Sequence, residues 1–575
     1  MIIDLKNIGM VLFRGTIYDS EKIIFLMNAF DRELVKNGVL PNDYVGIYMN
    51  RCPEMIIAIL SCLYNGYAYI PIDPELPRER VCYMMGECRA VITNSYTMDK
   101  CIDIQYDFFI NIDSIDLSNN GYRNQVYDWQ PDDIAYLIYT SGTTGVPKGV
   151  EITRANLENL VQGICEIIPF SSQNKIICLT TISFDIFFVE SILPLIKGAE
   201  VILADEIEQK NPRLMARIIE ESEADIMQVT PSRMQLLYNY DNTFQCLKHV
   251  KKLMIGGERL PEALLQSLQK KIQANIYNMY GPTETTIWSC VSDLTYSDSV
   301  NIGMPIRNTK IFILNEKNEI ISSNEYGQIG IAGDGVGAGY HNDLKLTEEK
   351  FILLPSIPTE RVYLTGDWGR YLPDGKLECL GRIDNQVKIN GFRVELEEIE
   401  NVMMEYDSIY KAIVCKSEEG IEGLVGFYLS KETIEEGALK LFLQQKVPDY
   451  MIPFRFIHLA DFPTTNSAKA DRKKIIDDYY KNNYQENIVE NKEKPKYYEI
   501  VSDIITAQVP ELVKKSDSFN GDLTNLGINS IIFIKLILAL EEQFDIEFED
   551  EVLVPQAFPT VDSIVRYIKN RIKVE

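Results

Sequence analysis

The chain has 575 residues, of which 46% are hydrophobic, so it is long enough for three or four folding units, one of them small. Asp and Glu number 84 against 57 Lys and Arg, which gives a net charge of −27. This balance argues against binding to nucleic acid or to an anionic membrane, because such ligands require a basic face.

Targeting and metal signals are absent from the sequence. The first residues lack a basic start and a cleavage site, and the apolar runs 531–540 and 55–60 are too short to span a bilayer. The 11 Cys form no C-x-x-C pair, which favours a reduced, cytoplasmic chain without disulfides or structural zinc. No chemical motif contains any of the histidines, His249, His341 and His458.

The pattern of elements predicts an α/β multidomain protein. Up to about residue 380, short β-branched runs alternate with helical stretches, which predicts parallel-sheet layers covered by helices. A smaller α+β segment follows at 383–478. The polar stretch 479–496 indicates a linker, and the amphipathic helices within 497–575 predict a four-helix bundle.

Residues 136–150, YLIYTSGTTGVPKGV, place a loop rich in glycine and hydroxyl groups after an apolar strand. Glycines let backbone N–H groups converge on anionic oxygens, hydroxyls add donors, and the lysine adds a positive charge. The loop therefore favours a polyphosphate ligand, with a plain hydrophilic hairpin as the alternative. The candidate phosphate-binding residues are Thr140, Ser141, Gly142, Thr143, Thr144 and Lys148.

This loop resembles the signature loop of the adenylate-forming superfamily, which includes acyl-CoA synthetases, luciferases and the adenylation domains of nonribosomal peptide synthetases. Residues 278–286 (NMYGPTETT), 363–400 and 462–474 (FPTTNSAKADRKK) resemble further motifs of that family. The resemblance covers about residues 10–478. It implies a large amino-terminal subdomain, 1–382, and a small carboxyl-terminal subdomain, 383–478.

The resemblance also implies roles in holding ATP. Tyr280 would stack on adenine, Thr283 would bond the α-phosphate, and Glu284 would hold Mg²⁺. Asp367 would accept hydrogen bonds from the ribose hydroxyls, and Arg382 would reach the nucleotide.

Three further residues receive roles in catalysis and motion. Lys469 would be the catalytic lysine that bridges the substrate carboxylate and the α-phosphate. Asp384 would be the hinge between the subdomains, and Gly391 would let the backbone pass close to a pantetheine arm.

The chain departs from the family pattern at three places. Arg154-Ala155 stands where the family often has a His-Arg pair, and Ser467-Ala468 replaces Asn-Gly before the catalytic lysine. Gln328 replaces a common Glu.

Residues 184–188, FDIFF, resemble the pocket motif of peptide synthetases, in which an Asp pairs with the substrate α-ammonium. Asp185 therefore favours an amino acid over an aryl or fatty acid. Because the rest of the pocket is mostly apolar, we expect a small or medium neutral side chain such as that of cysteine, alanine or valine. The pocket positions carried over are Asp185, Ile186, Val189, Gln228, Met254, Gly256, Met279, Ile287, Trp288 and Lys469.

Residues 519–544 resemble a peptidyl carrier domain, with Ser530 in LGINSI at the start of an amphipathic helix. In the family this serine carries 4′-phosphopantetheine, and a helix amino terminus favours a phosphate. A plain N-cap serine is the alternative. The resemblance thus implies a phosphopantetheine-binding carrier domain at 497–575.

Together these features predict an AMP-forming ligase that loads an amino acid onto its own carrier domain, as in nonribosomal peptide or related natural-product biosynthesis. The implied cofactors are ATP, Mg²⁺ and 4′-phosphopantetheine. The implied partners are a phosphopantetheinyl transferase, a downstream synthetase or tailoring enzyme, and a small MbtH-like activator. The alternatives are an aryl- or β-amino-acid ligase and a non-catalytic carrier-docking scaffold.

Overall fold

The computed structural model describes residues 3–100, 108–117, 127–142, 147–322, 324–389, 391–417, 423–459, 461–463, 471–485, 500–501, 504–505, 530–544, 546, 548, 558 and 561–572. These residues form two compact units. The large unit comprises the described residues up to Arg393, and the small unit comprises those from Val394 onward.

The large unit contains most of the strands. In chain order they are β1 (Met10–Phe13), β2 (Thr16–Tyr18), β3 (Tyr44–Tyr48), β4 (Ala68–Ile72), β5 (Ala90–Thr93), β6 (Phe109–Asn111), β7 (Ile134–Thr140), β8 (Lys148–Thr153), β9 (Lys175–Cys178), β10 (Glu200–Leu203), β11 (Ile226–Val229), β12 (Lys252–Gly256), β13 (Asn275–Tyr280), β14 (Cys290–Asp293), β15 (Met304–Pro305), β16 (Thr309–Leu314), β17 (Gly327–Gly333), β18 (Gly339–Tyr340), β19 (Phe351–Leu354), β20 (Ile357–Tyr371), β21 (Leu377–Arg382), β22 (Val387–Ile389) and β23 (Phe392–Val394).

Helices alternate with these strands over the first part of the unit. They are α1 (Ser20–Lys36), α2 (Pro53–Asn65), α3 (Arg78–Gly86), α4 (Ser95–Asp99), α5 (Arg154–Ile167), α6 (Ile186–Glu190), α7 (Ile192–Ile196), α8 (Pro212–Ser222), α9 (Pro231–Tyr240), α10 (Glu262–Lys271) and α11 (Leu344–Lys350).

Two large sheets have parallel centres. The first has the strand order β18-β8-β7-β4-β3-β5-β6, and the second has the order β15-β14-β13-β12-β11-β9-β10-β1-β2. In each sheet the central neighbours are parallel, whereas β7–β8 and β13–β14 are antiparallel. The strands β3, β4 and β5 are almost entirely buried, as expected for parallel strands covered on both faces. The predicted α/β class is therefore confirmed.

A third sheet was not anticipated from the strand–helix alternation. Strands β16, β17, β20 and β19 pair in that order, with β21 on the other side of β20, and every pairing is antiparallel. Tight turns such as that at Gly375, which has a positive φ of 83°, connect neighbouring strands here. No crossover helix is needed for such connections, which is why the helical signal fades in this region.

The small unit is mixed α/β. Its described elements are α12 (Leu396–Met404), β24 (Ile409–Lys416), β25 (Leu424–Ser430), α13 (Glu436–Gln444), β26 (Arg455–His458), α14 (Arg472–Gln485), α15 (Ser530–Phe544) and α16 (Val561–Ile572). Strand β25 pairs antiparallel with β24 and parallel with β26. Within α15 and α16, Phe533, Leu536, Leu540, Ile564 and Ile568 are buried.

Two expected boundaries can be compared with these elements. The helix α14 extends into the first residues of the expected linker 479–496, and residues 486–496 lie outside the described part of the chain. The large unit continues to Arg393, beyond the expected boundary after 382. Among the described residues, no helix is long and apolar enough to cross a membrane.

His341 contacts two carboxylates, one of them on β8, the strand that follows the predicted phosphate loop. The Nδ1 atom of His341 lies 2.6 Å from Glu151 of β8, and its Nε2 atom lies 3.0 Å from Glu87. The Tyr44 hydroxyl donates to the same Glu151 carboxylate at 2.8 Å. Burial opposes protonation of His341, but hydrogen bonds to the two carboxylates and their charges outweigh it and raise its pKa.

We predict that the contacts of His341 with Glu151 and Glu87 stabilise the fold more strongly as the pH falls from 8 to 6. A histidine whose folded pKa is raised contributes stability below its unfolded pKa and loses it as the pH rises through the folded value. The thermal midpoint of the wild type should therefore rise relative to that of His341→Gln over this range. His249→Gln is the matched control, and an identical pH dependence in His341→Gln would contradict the assignment.

Candidate active site

The predicted phosphate loop connects the two strands of a hairpin. Thr140 at the end of β7 pairs with Lys148 at the start of β8, and its hydroxyl donates to the Lys148 carbonyl at 3.4 Å. The Ser141 hydroxyl donates to the backbone carbonyl of Arg393 at 2.9 Å. Gly142 is described, whereas Thr143 and Thr144 lie outside the described residues. Hairpin geometry is thus present, and phosphate binding stays a prediction.

The residues expected to hold adenosine lie together. Tyr280 ends β13, and its hydroxyl donates to Asp367 of β20 at 2.6 Å. Asp367 is the register partner of Arg382 on β21, whose Nη1 atom lies 3.3 Å from the carboxylate. The same guanidinium pairs with Asp384 at 2.6 Å. An aromatic ring, a carboxylate and a guanidinium therefore meet where two sheets adjoin, beside the expected hinge.

Glu284 follows β13 on a 3₁₀ turn, Thr283–Thr285, and is completely buried. Its carboxylate accepts hydrogen bonds from the Tyr340 hydroxyl at 2.7 Å and from Arg393 Nη1 at 2.8 and 2.9 Å. Burial alone would raise the pKa of Glu284, but the charge of Arg393 and the bond from Tyr340 lower it to about 2. An ionised carboxylate is the hard oxygen ligand that Mg²⁺ prefers, so Glu284 fits the expected role.

Asp185 directly precedes the short helix α6, and its side chain is buried. Burial raises the pKa of Asp185 to about 6, against the lowering effect of hydrogen bonds from the Thr283 side chain and the Ile186 backbone. The carboxylate expected to bind the substrate amine therefore contacts the threonine expected to bind the α-phosphate. This proximity suits a ligand that carries an ammonium group close to a phosphoester.

Three neighbouring strands carry four of the other expected pocket residues. Gln228 on β11 is the register partner of Met254 on β12, and Gly256 on β12 is the partner of Met279 on β13. Because side chains two residues apart on a strand share a face, all four positions lie on the same side of the sheet. Ile186 and Val189 on α6 are also buried, with exposures of 4% and 0%.

Trp288 closes this pocket. A Cβ atom built on Gly256 would lie 2.6 Å from the Cη2 atom of the indole, so glycine is required for the ring to lie there. Gln228, Met254, Met279, Ile287 and Trp288 are each at most 2% exposed. A void of the size of a water molecule would add exposure to its lining, so these side chains enclose very little space.

The turn that precedes and positions Trp288 has a strained backbone. Thr286 and Ile287 both have a φ of 64°, a conformation that β-branched residues rarely adopt. The Thr286 hydroxyl donates to the Gly335 carbonyl at 2.7 Å, which helps to hold the turn. Such strain clusters at ligand sites, where surrounding contacts maintain it.

The structure does not describe the side chains of two residues that are central to the predicted site. Lys469 lies outside the described residues, so its position relative to Asp185 and Glu284 stays a prediction. Ser530 is the first residue of α15, at the amino terminus expected for a phosphate-bearing serine, but its side chain is not described.

Several residues beside the site were missed by sequence reasoning. Arg393 and Tyr340 contact Glu284, although neither belongs to the expected ATP-binding set. Glu190 at the end of α6 accepts from the backbone N–H groups of Leu179 at 2.7 Å and Thr180 at 2.8 Å. Glu190 could have been found from the sequence, because it lies in the apolar run FDIFFVESILPLI. A carboxylate in such a run is expected to be buried and therefore to need hydrogen-bond partners.

Both parts of the chain match known protein families. Residues 27–341 match the family described as AMP-binding enzyme, and residues 499–568 match the phosphopantetheine attachment site. The first match covers more than half of the chain, and the chain belongs to the AMP-binding enzyme family. The expected order, an adenylation unit followed by a carrier region, is confirmed.

The curated relatives are nonribosomal peptide synthetases. The dimodular nonribosomal peptide synthase of Bacillus subtilis (strain 168) is 34% identical over 78% of this chain and 19% of its own length. Surfactin synthase subunit 3 of the same strain is 31% identical over 94% of this chain and 42% of its own length. The chain thus spans less than half of the length of these relatives.

Solved structures show the same two-part fold. Holo-PA1221, an NRPS protein containing adenylation and PCP domains, has a TM-score of 0.80 at 22% identity over 98% of this chain and 94% of that chain. Holo-AB3403, a four domain nonribosomal peptide synthetase bound to AMP and glycine, has a TM-score of 0.60 at 27% identity over 98% of this chain and 42% of that chain.

We predict that Glu190→Ala destabilises the large unit. The change leaves two buried N–H groups without an acceptor, at about 1–3 kcal/mol each, and should lower the thermal midpoint by several degrees. Glu220→Ala is the matched control, because Glu220 forms an exposed pair with Lys248 that contributes at most about 1 kcal/mol. Equal melting of the two variants would contradict the assigned role of Glu190.

Proposed function

We propose that this chain activates a small neutral α-amino acid with ATP and transfers it to a phosphopantetheine thiol on its own carrier region. The observation that carries the proposal is the buried Asp185 carboxylate beside Thr283, next to a pocket that is mostly apolar and closed. A buried carboxylate calls for a cation, and the α-ammonium of an amino acid supplies one.

In the first half-reaction a carboxylate oxygen of the amino acid attacks the α-phosphorus of ATP. The new O–P bond forms as the bond to the β-phosphate breaks, giving aminoacyl-AMP and pyrophosphate. Thr283 would hold the α-phosphate, Tyr280 and Asp367 the adenosine, and Lys469 the substrate carboxylate. Mg²⁺ at Glu284 would neutralise phosphate charge.

In the second half-reaction the pantetheine thiol, after losing its proton to solvent, attacks the acyl carbon. A C–S bond forms while the C–O bond to AMP breaks, so the products are AMP and an aminoacyl thioester on the pantetheine arm of Ser530. Tethering the thiol to the same chain raises its effective concentration at the adenylate.

The closed pocket argues for a smaller substrate than the sequence suggested. Trp288, Met279 and Met254 fill the side-chain end, whereas Asp185 at the amine end keeps 9% exposure. We therefore propose glycine as the substrate, with alanine next in preference. Support comes from AB3403, whose structure contains AMP and glycine.

The carrier function implies further partners. A phosphopantetheinyl transferase would attach the arm to Ser530, and a downstream synthetase or tailoring enzyme would accept the cargo. An MbtH-like activator and a cytoplasmic location remain proposals that rest on the resemblance to peptide synthetases.

The first test is amino-acid-dependent exchange of labelled pyrophosphate into ATP, over the proteinogenic amino acids and several aryl and β-amino acids. We expect glycine to give the highest kcat/KM. Asp185→Asn should lower it by about 10- to 100-fold, because a charge-assisted hydrogen bond contributes about 1.5–3 kcal/mol. Trp288→Ser should shift the preference towards larger side chains.

The exposed Asp298→Asn is the charge-matched control for Asp185→Asn. Loading is then followed by intact-protein mass after treatment with a phosphopantetheinyl transferase, with Ser530→Ala expected to gain neither the arm nor the amino acid. Exchange that occurs only with acids lacking an α-amine would contradict the proposal. Absence of exchange with every acid tested would favour the scaffold alternative.

A second prediction concerns pH. Because the pKa of Asp185 is about 6, its ionised fraction falls about tenfold between pH 7 and pH 5, and the KM for the amino acid should rise accordingly at saturating Mg-ATP. Glu284 raises this pKa and Lys388 lowers it, so both contribute to the midpoint. Asp185→Asn should show a much flatter profile, and an unchanged slope in that variant would exclude Asp185 as the titrating group.

A further inference from the structure

Arg393 binds two groups that are expected to hold the triphosphate of ATP. Its guanidinium donates to both carboxylate oxygens of Glu284, at 2.8 and 2.9 Å. Its backbone carbonyl accepts the Ser141 hydroxyl of the phosphate loop at 2.9 Å. One residue therefore contacts both the expected Mg²⁺ ligand and an expected phosphate donor.

The segment around Arg393 is docked at further points of the large unit. The Gly391 N–H group donates to the Glu258 carboxylate, which also accepts from the Ser232 backbone at 2.8 Å. The ring of Phe392 packs edge-on against Phe184, with centroids 4.7 Å apart. Phe184 directly precedes Asp185, so the docked segment adjoins the expected amine site.

Gly391 is suited to this position for two reasons. Its φ of 87° is strained for any residue with a side chain, and a Cβ atom there would lie 2.8 Å from Cγ2 of Thr230. The close approach to α9 therefore depends on glycine, which indicates a specific docking position rather than a loose surface contact.

Glu284 can pair either with Arg393 or with Mg²⁺, but not with both at once. A fully buried carboxylate needs a positive partner, because an unpaired charge in the interior is costly. Mg²⁺ binds carboxylate oxygens at about 2.0–2.1 Å. Arg393 already contacts both oxygens, so the ion and the guanidinium would repel each other if both were present.

Ser141 of the predicted phosphate loop likewise cannot donate to Arg393 and to ATP at the same time. The single hydroxyl proton of Ser141 is donated to the Arg393 carbonyl in this structure. If Ser141 donates to a phosphate oxygen of ATP, as expected from the loop, that bond to Arg393 must break. Binding of Mg-ATP should therefore release Arg393 at both ends.

We propose that Arg393 is a positioning residue that takes the place of Mg²⁺ at Glu284 once pyrophosphate has left, and thereby holds residues 391–393 in the arrangement used for thioester formation. This inference rests on the proposed function. Mg-ATP displaces Arg393 and permits adenylation, and loss of Mg-pyrophosphate leaves Glu284 in need of a cation, which draws Arg393 back. Arg393 lies nine residues after the expected hinge Asp384, close enough to couple its docking to rotation there.

The first test measures metal binding without turnover. Mn²⁺ serves as the probe, with α,β-methylene-ATP as the nucleotide, and free Mn²⁺ is followed by its electron paramagnetic resonance signal. If Arg393 occupies Glu284 about 90% of the time, Arg393→Gln should bind Mn²⁺ about tenfold more tightly than the wild type. Arg370→Gln is the matched control, since Arg370 pairs with the partly exposed Glu378 at 2.8 Å.

The second test measures thioester formation in a single turnover of preformed aminoacyl-AMP on the holo chain. Arg393→Gln should slow this transfer at least about tenfold, and Arg393→Lys should recover part of the rate because it retains the charge. Thermal melting of each variant checks folding. If Arg393→Gln does not fold, Arg393→Lys carries the test, with tighter Mn²⁺ binding and slower transfer than the wild type.

Tighter Mn²⁺ binding together with slower transfer would support the proposal. Unchanged Mn²⁺ affinity, or transfer at the rate of the wild type, would overturn it. So would a folded variant that loses pyrophosphate exchange at saturating Mg²⁺, because Arg393 would then serve adenylation itself. A wild type without any exchange would refute the proposed function, and the Mn²⁺ titration would still decide whether Arg393 competes with the metal.

Discussion

A single buried carboxylate determines how the large unit is organised around its site. Glu284 follows a strand of the nine-stranded sheet and accepts hydrogen bonds from Tyr340, which belongs to the seven-stranded sheet. Tyr363 of the antiparallel sheet and Arg393 of the two-stranded sheet also bond to it. Since an unpaired carboxylate is costly inside a protein, the four sheets must meet correctly at this point for Glu284 to be tolerated.

In the proposed function, the same requirement makes the site responsive to its ligands. A carboxylate that always needs a cation can exchange one for another at little cost, whereas a solvated carboxylate would be indifferent to the exchange. Glu284 is thus a natural place for a metal ion and a protein guanidinium to alternate. Reaction progress, through release of pyrophosphate, could then set which backbone segment lies beside the adenylate.

The proposed pocket for the acid depends on a different constraint, the register of parallel strands. Gln228 beside Met254 and Gly256 beside Met279 present one face of the sheet to α6. The missing side chain at Gly256 admits the indole of Trp288, which a strained turn delivers. The pocket is therefore small because of where a tryptophan lies, although its residue types alone are compatible with medium-sized side chains.

Much about this protein could be read from the sequence because its chemistry lies in contiguous motifs. Local patterns such as YLIYTSGTTGVPKGV and NMYGPTETT predict a phosphate-binding hairpin and an adenine-binding strand end, and strand–helix alternation predicts the parallel sheets. The order of an adenylation unit and a carrier region follows from the same kind of local signal.

Contacts between distant segments could not be read in this way. The pairing of Glu284 with Arg393 spans 109 positions, and the bond from Ser141 to the Arg393 carbonyl spans 252. The antiparallel sheet from β16 to β21 and the closure of the pocket by Trp288 also depend on how sheets pack. The sequence by itself determined which groups are present and the local elements that carry them. Only the tertiary structure decided which carboxylates are buried, which cations they meet and how much space the substrate has, because burial and register depend on packing between segments remote in the chain.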